Sequence, residues 1–245
     1  MTGSPRLPDL PARPFDPPWG MAGTLLGLGA TFCLAITVAV TLEAARTLAG
    51  VDPEALPSLP WRYAQVLGFQ LTLVAVPLLF VRFTGATLQT LGLGPLRRRH
   101  AAEAIPVGCG LSLLTIAYGS ALARWAPAAF AEMIEEQRLQ LEFLEAPWFV
   151  LLPVALLCAP LAEEIFFRGF LFGGLRNPLG FALASGLTAA LFTLVHWMKW
   201  STPILFFIGL CSAALAQRHR SLWPAIFMHV AFNASELLLD TLGVG

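Results

Sequence analysis

A chain of 245 residues that is 57% hydrophobic and only 12% charged, with a mean hydropathy of +0.71, is excluded from the ordinary soluble domains and belongs in a membrane. A formal net charge of zero gives no electrostatic basis for binding nucleic acid or another polyanion. Four cysteines, Cys33, Cys109, Cys158 and Cys211, fall in apolar runs without CxxC spacing, which argues against a disulfide framework or a zinc cluster.

In chain order, the Pro-rich start, residues 1–18, has no basic region leading into a short apolar core and reads as a disordered tail rather than a signal peptide. Apolar segments long enough to be membrane-crossing helices follow at about Trp19–Leu42, Trp61–Phe83, Ala101–Trp125, Trp148–Leu175, Leu179–Trp197, Thr202–Gln217 and Leu222–Leu242. Between the third and fourth, Phe130, Met133, Ile134, Leu141 and Leu144 recur at helical intervals among acidic residues. That pattern fits a surface amphipathic helix, an extension of the fourth span or a solvated connector. The expected fold is therefore all-α, a polytopic transmembrane bundle of about seven or eight helices enclosing a polar cavity. Residues 19–147 form its N-terminal helices and connector, and residues 148–245 a C-terminal core.

With the N-terminus in the cytoplasm, nine basic residues (Arg6, Arg13, Arg82, Arg97, Arg98, Arg99, Arg176, Arg218 and Arg220) lie on that side. Five (Arg46, Arg62, Arg124, Arg138 and Lys199) lie on the other, so the positive-inside rule favours that orientation. Basic residues are nearly all arginine, with Lys199 the only lysine. With abundant Ala, Leu, Gly and Pro, this suggests GC-rich coding and a bacterial cytoplasmic membrane.

The stretch LAEEIFFRGF, Leu161–Phe170, places three ionisable side chains where lipid solvates none, so they must face protein or water. Glu164 and Arg168 are four residues apart and can pair along one helix. Glu163 points about 100° away and lacks such a partner. Farther along, Phe192 precedes His196 by four residues, and His229 precedes Asn233 by four, so each pair shares a helix face. A lone intramembrane histidine is most simply a polar contact between helices. Three polar sites on three helices instead assemble a base, a second nitrogen and oxyanion donors, the parts of a hydrolytic site.

The motifs EExxxR at Glu163–Arg168, FxxxH at Phe192–His196 and HxxxN at His229–Asn233 resemble, in order and setting, the CAAX protease and bacteriocin-processing family of intramembrane endopeptidases. That family is related to type II CAAX prenyl proteases. The resemblance covers about Trp148–Leu242. It implies peptide-bond hydrolysis in the membrane, with Glu163 and His196 activating water and His229 and Asn233 stabilising the oxyanion. Glu164, Arg168 and Phe192 would then be supporting residues, and the substrate a membrane-associated peptide or protein. Many members are labelled metalloproteases; a bound zinc would take His196, His229 and Glu163, although an HExxH motif is absent. The expectation is hydrolysis without a tightly bound metal. Two other functions compete with it: a non-catalytic membrane scaffold or immunity-type partner, and a proton-coupled transporter using Glu163, His196 and His229 as a relay.

One conflict of depth accompanies this assignment. A straight span from Leu179 carries His196 about 25 Å from its start, whereas His229 lies about 10 Å into its own helix. A recessed turn near His196 or an inward dip before Leu179 would reconcile them.

Overall fold

Long apolar segments can satisfy their backbone hydrogen bonds in lipid only by forming helices or closed barrels, and here they form helices. The computed structural model describes residues 14–51, 58–144 and 147–242, and among these no strand occurs. The helices are α1 (Gly20–Leu48), α2 (Leu59–Thr84), α3 (Arg98–Trp125) and α4 (Pro127–Leu144), followed by a long composite run and then α8 (Thr202–His219) and α9 (Trp223–Thr241). The composite run comprises α5 (Trp148–Pro153), a π-helical stretch (Val154–Cys158), α6 (Ala159–Glu164), a second π-helical stretch (Ile165–Phe172) and α7 (Gly173–Leu194). Within α7, Gly180 adopts φ 75° and ψ 168°, a conformation open to glycine and costly for other residues. The run therefore bends there, two residues after Pro178.

Four of these helices are long and apolar enough to cross a membrane: Gly20–Leu48, Leu59–Thr84, Arg98–Trp125 and Phe149–Leu194. The chain is thus a helical membrane bundle. The expected fourth and fifth spans merge into the 46-residue run. The expected sixth and seventh are α8 and α9, of 18 and 19 residues, which are not among those four. Polar residues explain their shortfall: α8 ends in Gln217, Arg218 and His219, and α9 carries His229, Asn233, Glu236 and Asp240.

The core is built around the second π-helical stretch, where Phe166, Phe167, Phe170 and Leu171 are buried with Leu73, Phe192, Ile208 and Met228. Helix α9 lies closely along α3, and glycine makes the approach possible. A Cβ on Gly108 would meet the Met228 carbonyl oxygen, the Ala231 Cβ at 2.9 Å and the Phe232 nitrogen at 3.0 Å. Small residues at such crossings are the usual means of close packing in membranes.

Of the 18 residues expected to form a tail, the structure describes residues 14–18. Residues 1–13 lie outside the described part, but Phe15 is buried, 1% exposed. Its N–H donates to the Thr90 carbonyl at 2.9 Å, and its ring meets Phe172 edge-on at 6.1 Å. Asn177 donates to Asp16 at 2.7 Å. One aromatic side chain with a pocket to fill is enough to order the residues beside it.

Candidate active site

Glu163 and Glu164 end α6, between the two π-helical stretches. Such stretches are rare, and they leave backbone groups out of the regular ladder. The Ala159 N–H bonds the Val154 carbonyl in the i to i+5 pattern. The next donor in that register would be residue 160, a proline without an N–H, so the Ala155 carbonyl is left for another donor. Asn233 of α9 supplies it: its Nδ2 donates to the Ala155 oxygen at 2.9 Å. One of the two amide hydrogens of Asn233 is thereby committed, and the other is free for a second acceptor.

Glu164 and Arg168 are both fully buried, and Arg168 Nη1 lies 3.3 Å from Glu164 Oε1, as their spacing anticipates. The guanidinium also sits over the Phe192 ring, 4.5 Å from its centroid, a cation–π contact in a desolvated setting. The same Glu164 oxygen accepts from Ser212 at 3.2 Å and lies 3.0 Å from His229 Nδ1. A carboxylate can only accept, so His229 carries its hydrogen on Nδ1 and turns Nε2 the other way.

That Nε2 faces Glu163, 3.8 Å from Oε2, close enough for an ion pair and too long for a hydrogen bond. The other Glu163 oxygen, Oε1, accepts from Gln70 Nε2 of α2 at 3.2 Å. Glu163 is therefore not the unpartnered carboxylate that helical spacing alone suggested, because spacing along one helix is blind to a donor arriving from another. Both Glu163 and His229 are buried, 8% and 5% exposed. The polar groups pack against one another, while Gln70 Oε1, Glu164 Oε2 and the three guanidinium nitrogens of Arg168 are buried without a hydrogen-bond partner.

His196 lies just beyond the end of α7. Its Nδ1 is 2.7 Å from the Phe192 carbonyl oxygen, which can only accept, so Nε2 is the nitrogen left with a lone pair in the neutral ring. The Phe192 ring joins the two histidines, with centroids 4.6 Å from His196 and 5.9 Å from His229. The structure thus brings Glu163, Glu164, Arg168, Phe192 and His229 into one contact network. His196 joins it through Phe192, and Asn233 through the π-helical backbone.

Sequence reasoning missed Gln70 and Ser212. Gln70 carried a signal, an amide in the apolar run LGFQLTLVAV, because an intramembrane glutamine seeks a partner between helices. Ser212 carried none, since small hydroxyls are common in such helices.

His196, His229 and Glu163 are the side chains that a three-ligand metal centre would have to gather. Among the described residues no three His, Cys, Asp or Glu side chains converge as a ligand set.

An open apolar pocket of about 380 Å³ is lined by Phe149, Leu152, Pro153, Leu156, Leu157 and Val230. It lies beside the first π-helical stretch and next to His229 in sequence.

The carboxy-terminal part of the chain has known relatives. Residues 145–235 match the family model described as type II CAAX prenyl endopeptidase Rce1-like. A candidate membrane peptidase, YdiL of Bacillus subtilis (strain 168), is 28% identical over 87 residues, 36% of this chain and 36% of that protein. The match thus spans about a third of the relative's length, and no solved structure matches the chain. The segment that this family model matches holds Glu163, Glu164, Arg168, Phe192, His196, His229 and Asn233.

Proposed function

We propose that this chain is an intramembrane endopeptidase that hydrolyses a peptide bond with a water activated by Glu163. The observation that carries the reading is the orientation of His229, whose Nδ1 lies 3.0 Å from Glu164 while its Nε2 is aimed at Glu163. A base and an electrophilic partner thereby face each other from neighbouring helices, each held from behind, Glu163 by Gln70 and His229 by Glu164.

In the proposed reaction Glu163 takes a proton from water as the oxygen attacks the peptide carbonyl carbon. His196 orients that water through its Nε2 lone pair. The carbonyl oxygen gains charge and is held by Nε2–H of His229 and the free amide hydrogen of Asn233, an oxyanion site of the kind that stabilises tetrahedral intermediates. As the C–N bond breaks, Glu163 returns the proton to the departing amine. Arg168 and His229 are the groups set against the carboxylates of Glu164 and Glu163, so that the buried acids of this scheme have basic partners. Glu164 and Arg168 take no proton in this scheme; they orient His229 and anchor α6.

The substrate in this reading is a membrane-associated peptide or protein segment, approaching along the apolar cavity beside Ala155. The protein would sit in a bacterial cytoplasmic membrane with its N-terminus in the cytoplasm, the orientation that the arginine distribution favours. The test is cleavage of a fluorogenic reporter peptide by purified protein in detergent or bilayers, with Glu163→Gln as control. Cleavage undiminished in Glu163→Gln would overturn the mechanism. A wild-type protein that cleaves nothing but captures the same membrane partners as Glu163→Gln would establish the scaffold reading in its place.

A further inference from the structure

His196 is the one proposed catalytic group outside a helix. It lies in the connection between α7 and α8, and its successor Trp197 has φ 55°, a left-handed conformation unfavourable for a non-glycine residue. A turn of that kind persists when its surroundings impose it. The surroundings here come from α4, outside residues 145–235. Glu132 Oε2 accepts from Lys199 Nζ at 2.9 Å and from Trp200 Nε1 at 2.6 Å. One helical turn later, Glu136 accepts from the backbone N–H of Lys199 and from that of Trp200, each at 3.2 Å. From α3, the Tyr118 hydroxyl donates to the Trp200 carbonyl at 2.9 Å.

Five hydrogen bonds thus converge on two residues that begin three positions after His196. An exposed ion pair alone contributes little, but two of these bonds end on backbone N–H groups and fix the course of the chain. The same side of α4 is anchored, since Ala129 and Met133, within about 100° of Glu132 round the helix, are buried. Glu132 and Glu136 on the acidic face of this amphipathic helix are therefore engaged with the α7–α8 connection, while Glu135 is exposed and paired with Arg138. The hydrogen bonds from Trp200 and Lys199 hold the Glu132 carboxyl below the usual carboxylate range, as a formed clamp requires.

We propose that Glu132 and Glu136 are positioning residues for His196: α4 is a clamp that holds the His196-bearing turn in place for the reaction. The inference rests on the proposed hydrolysis for its consequence, but its structural half can be read without activity.

The experiment compares wild type with Glu132→Ala/Glu136→Ala and with the conservative Glu132→Gln/Glu136→Gln. Three readouts are used: amide hydrogen exchange of peptides covering 195–201, the rate of carbethoxylation of His196 followed by mass spectrometry, and the kinetic constants for a reporter peptide. The alanine pair is expected to exchange at least about tenfold faster at residues 199–200 and to alter the His196 modification rate at least threefold. Exchange in α2, α6 and α9 should be unchanged. Its kcat is expected to fall about tenfold or more with KM within twofold, since misplacing a reacting group slows the chemical step. The glutamine pair retains acceptor oxygens and should keep kcat within about threefold of wild type.

Unchanged exchange at 199–200 overturns the clamp. So does faster exchange with both His196 modification and kcat unaltered. Exchange that also rises throughout α2, α6 and α9 would show α4 to be a general stabiliser and likewise overturn the positioning role. If wild type itself hydrolyses nothing, the hydrolytic reading falls, while the exchange and carbethoxylation arms still decide whether α4 places His196.

Discussion

Gln70 of α2 donates a hydrogen bond to Glu163 across 93 positions of sequence, at 3.2 Å and away from bulk solvent. It ties the N-terminal helices to the C-terminal segment at the proposed base itself. A hydrogen bond to a charged group contributes about 1.5–3 kcal/mol. If that acts on the orientation of Glu163, Gln70→Leu should lower kcat by roughly 10- to 100-fold with KM changed less than twofold. A kcat unaffected by Gln70→Leu would show that Glu163 holds its position without α2.

Among the proposed catalytic groups, Glu163→Gln and His229→Ala should each reduce kcat/KM by at least about 10²-fold, the scale of acid–base contributions. Asn233→Ala should cost about 10²- to 10³-fold, as loss of an oxyanion donor does. Asn233 also caps the Ala155 carbonyl, so the melting temperature must be measured alongside. Asn233→Ala losing stability in proportion to activity would assign the residue to the π-helical backbone instead.

Arg168→Ala leaves Glu164 buried without its cation, a change that typically costs about 3–5 kcal/mol. Poor expression and a lowered detergent melting temperature are the expected outcome. A well-folded Arg168→Ala protein lacking activity would place the guanidinium in the chemistry.

Gly108 lets α3 approach the backbone of the helix that carries His229 and Asn233. Gly108→Ala must push the two apart, and overpacking of this kind costs roughly 1–3 kcal/mol. A reduced melting temperature is expected, together with a kcat loss larger than that of Gly110→Ala, whose Cβ would meet nothing within 4 Å. Equal effects of the two substitutions would contradict the close packing.

Because the candidate ligands do not converge as a set among the described residues, dialysis against a strong chelator should leave hydrolysis within twofold of the untreated enzyme. Elemental analysis should find well under one zinc per chain. Activity lost on chelation and restored by zinc would require His196, His229 and Glu163 to rearrange around a metal.

Much of the fold was legible because its cause is local. Twenty apolar residues in lipid must become helix, and α1, α2, α3, α8 and α9 lie close to the apolar segments. The Glu164–Arg168 pair was equally legible, because four residues on one helix determine that contact. The amphipathic pattern around Met133 likewise corresponds to α4, although spacing could not say what its acidic face would hold.

What only the tertiary structure decided is every relation between helices. Helical spacing left Glu163 unpartnered, and its partner Gln70 comes from another helix. The same reasoning placed His196 and His229 at different depths, and in the structure both rings lie against that of Phe192. Phe15 lay in an apparent tail and is core. The sequence by itself determined helices, their apolar faces and the inventory of ionisable groups, since these depend on neighbours within one or two turns. Which side chain turns toward which was left to packing, because a helix can rotate or bend at little local cost until buried charges and close-packed rings select one arrangement.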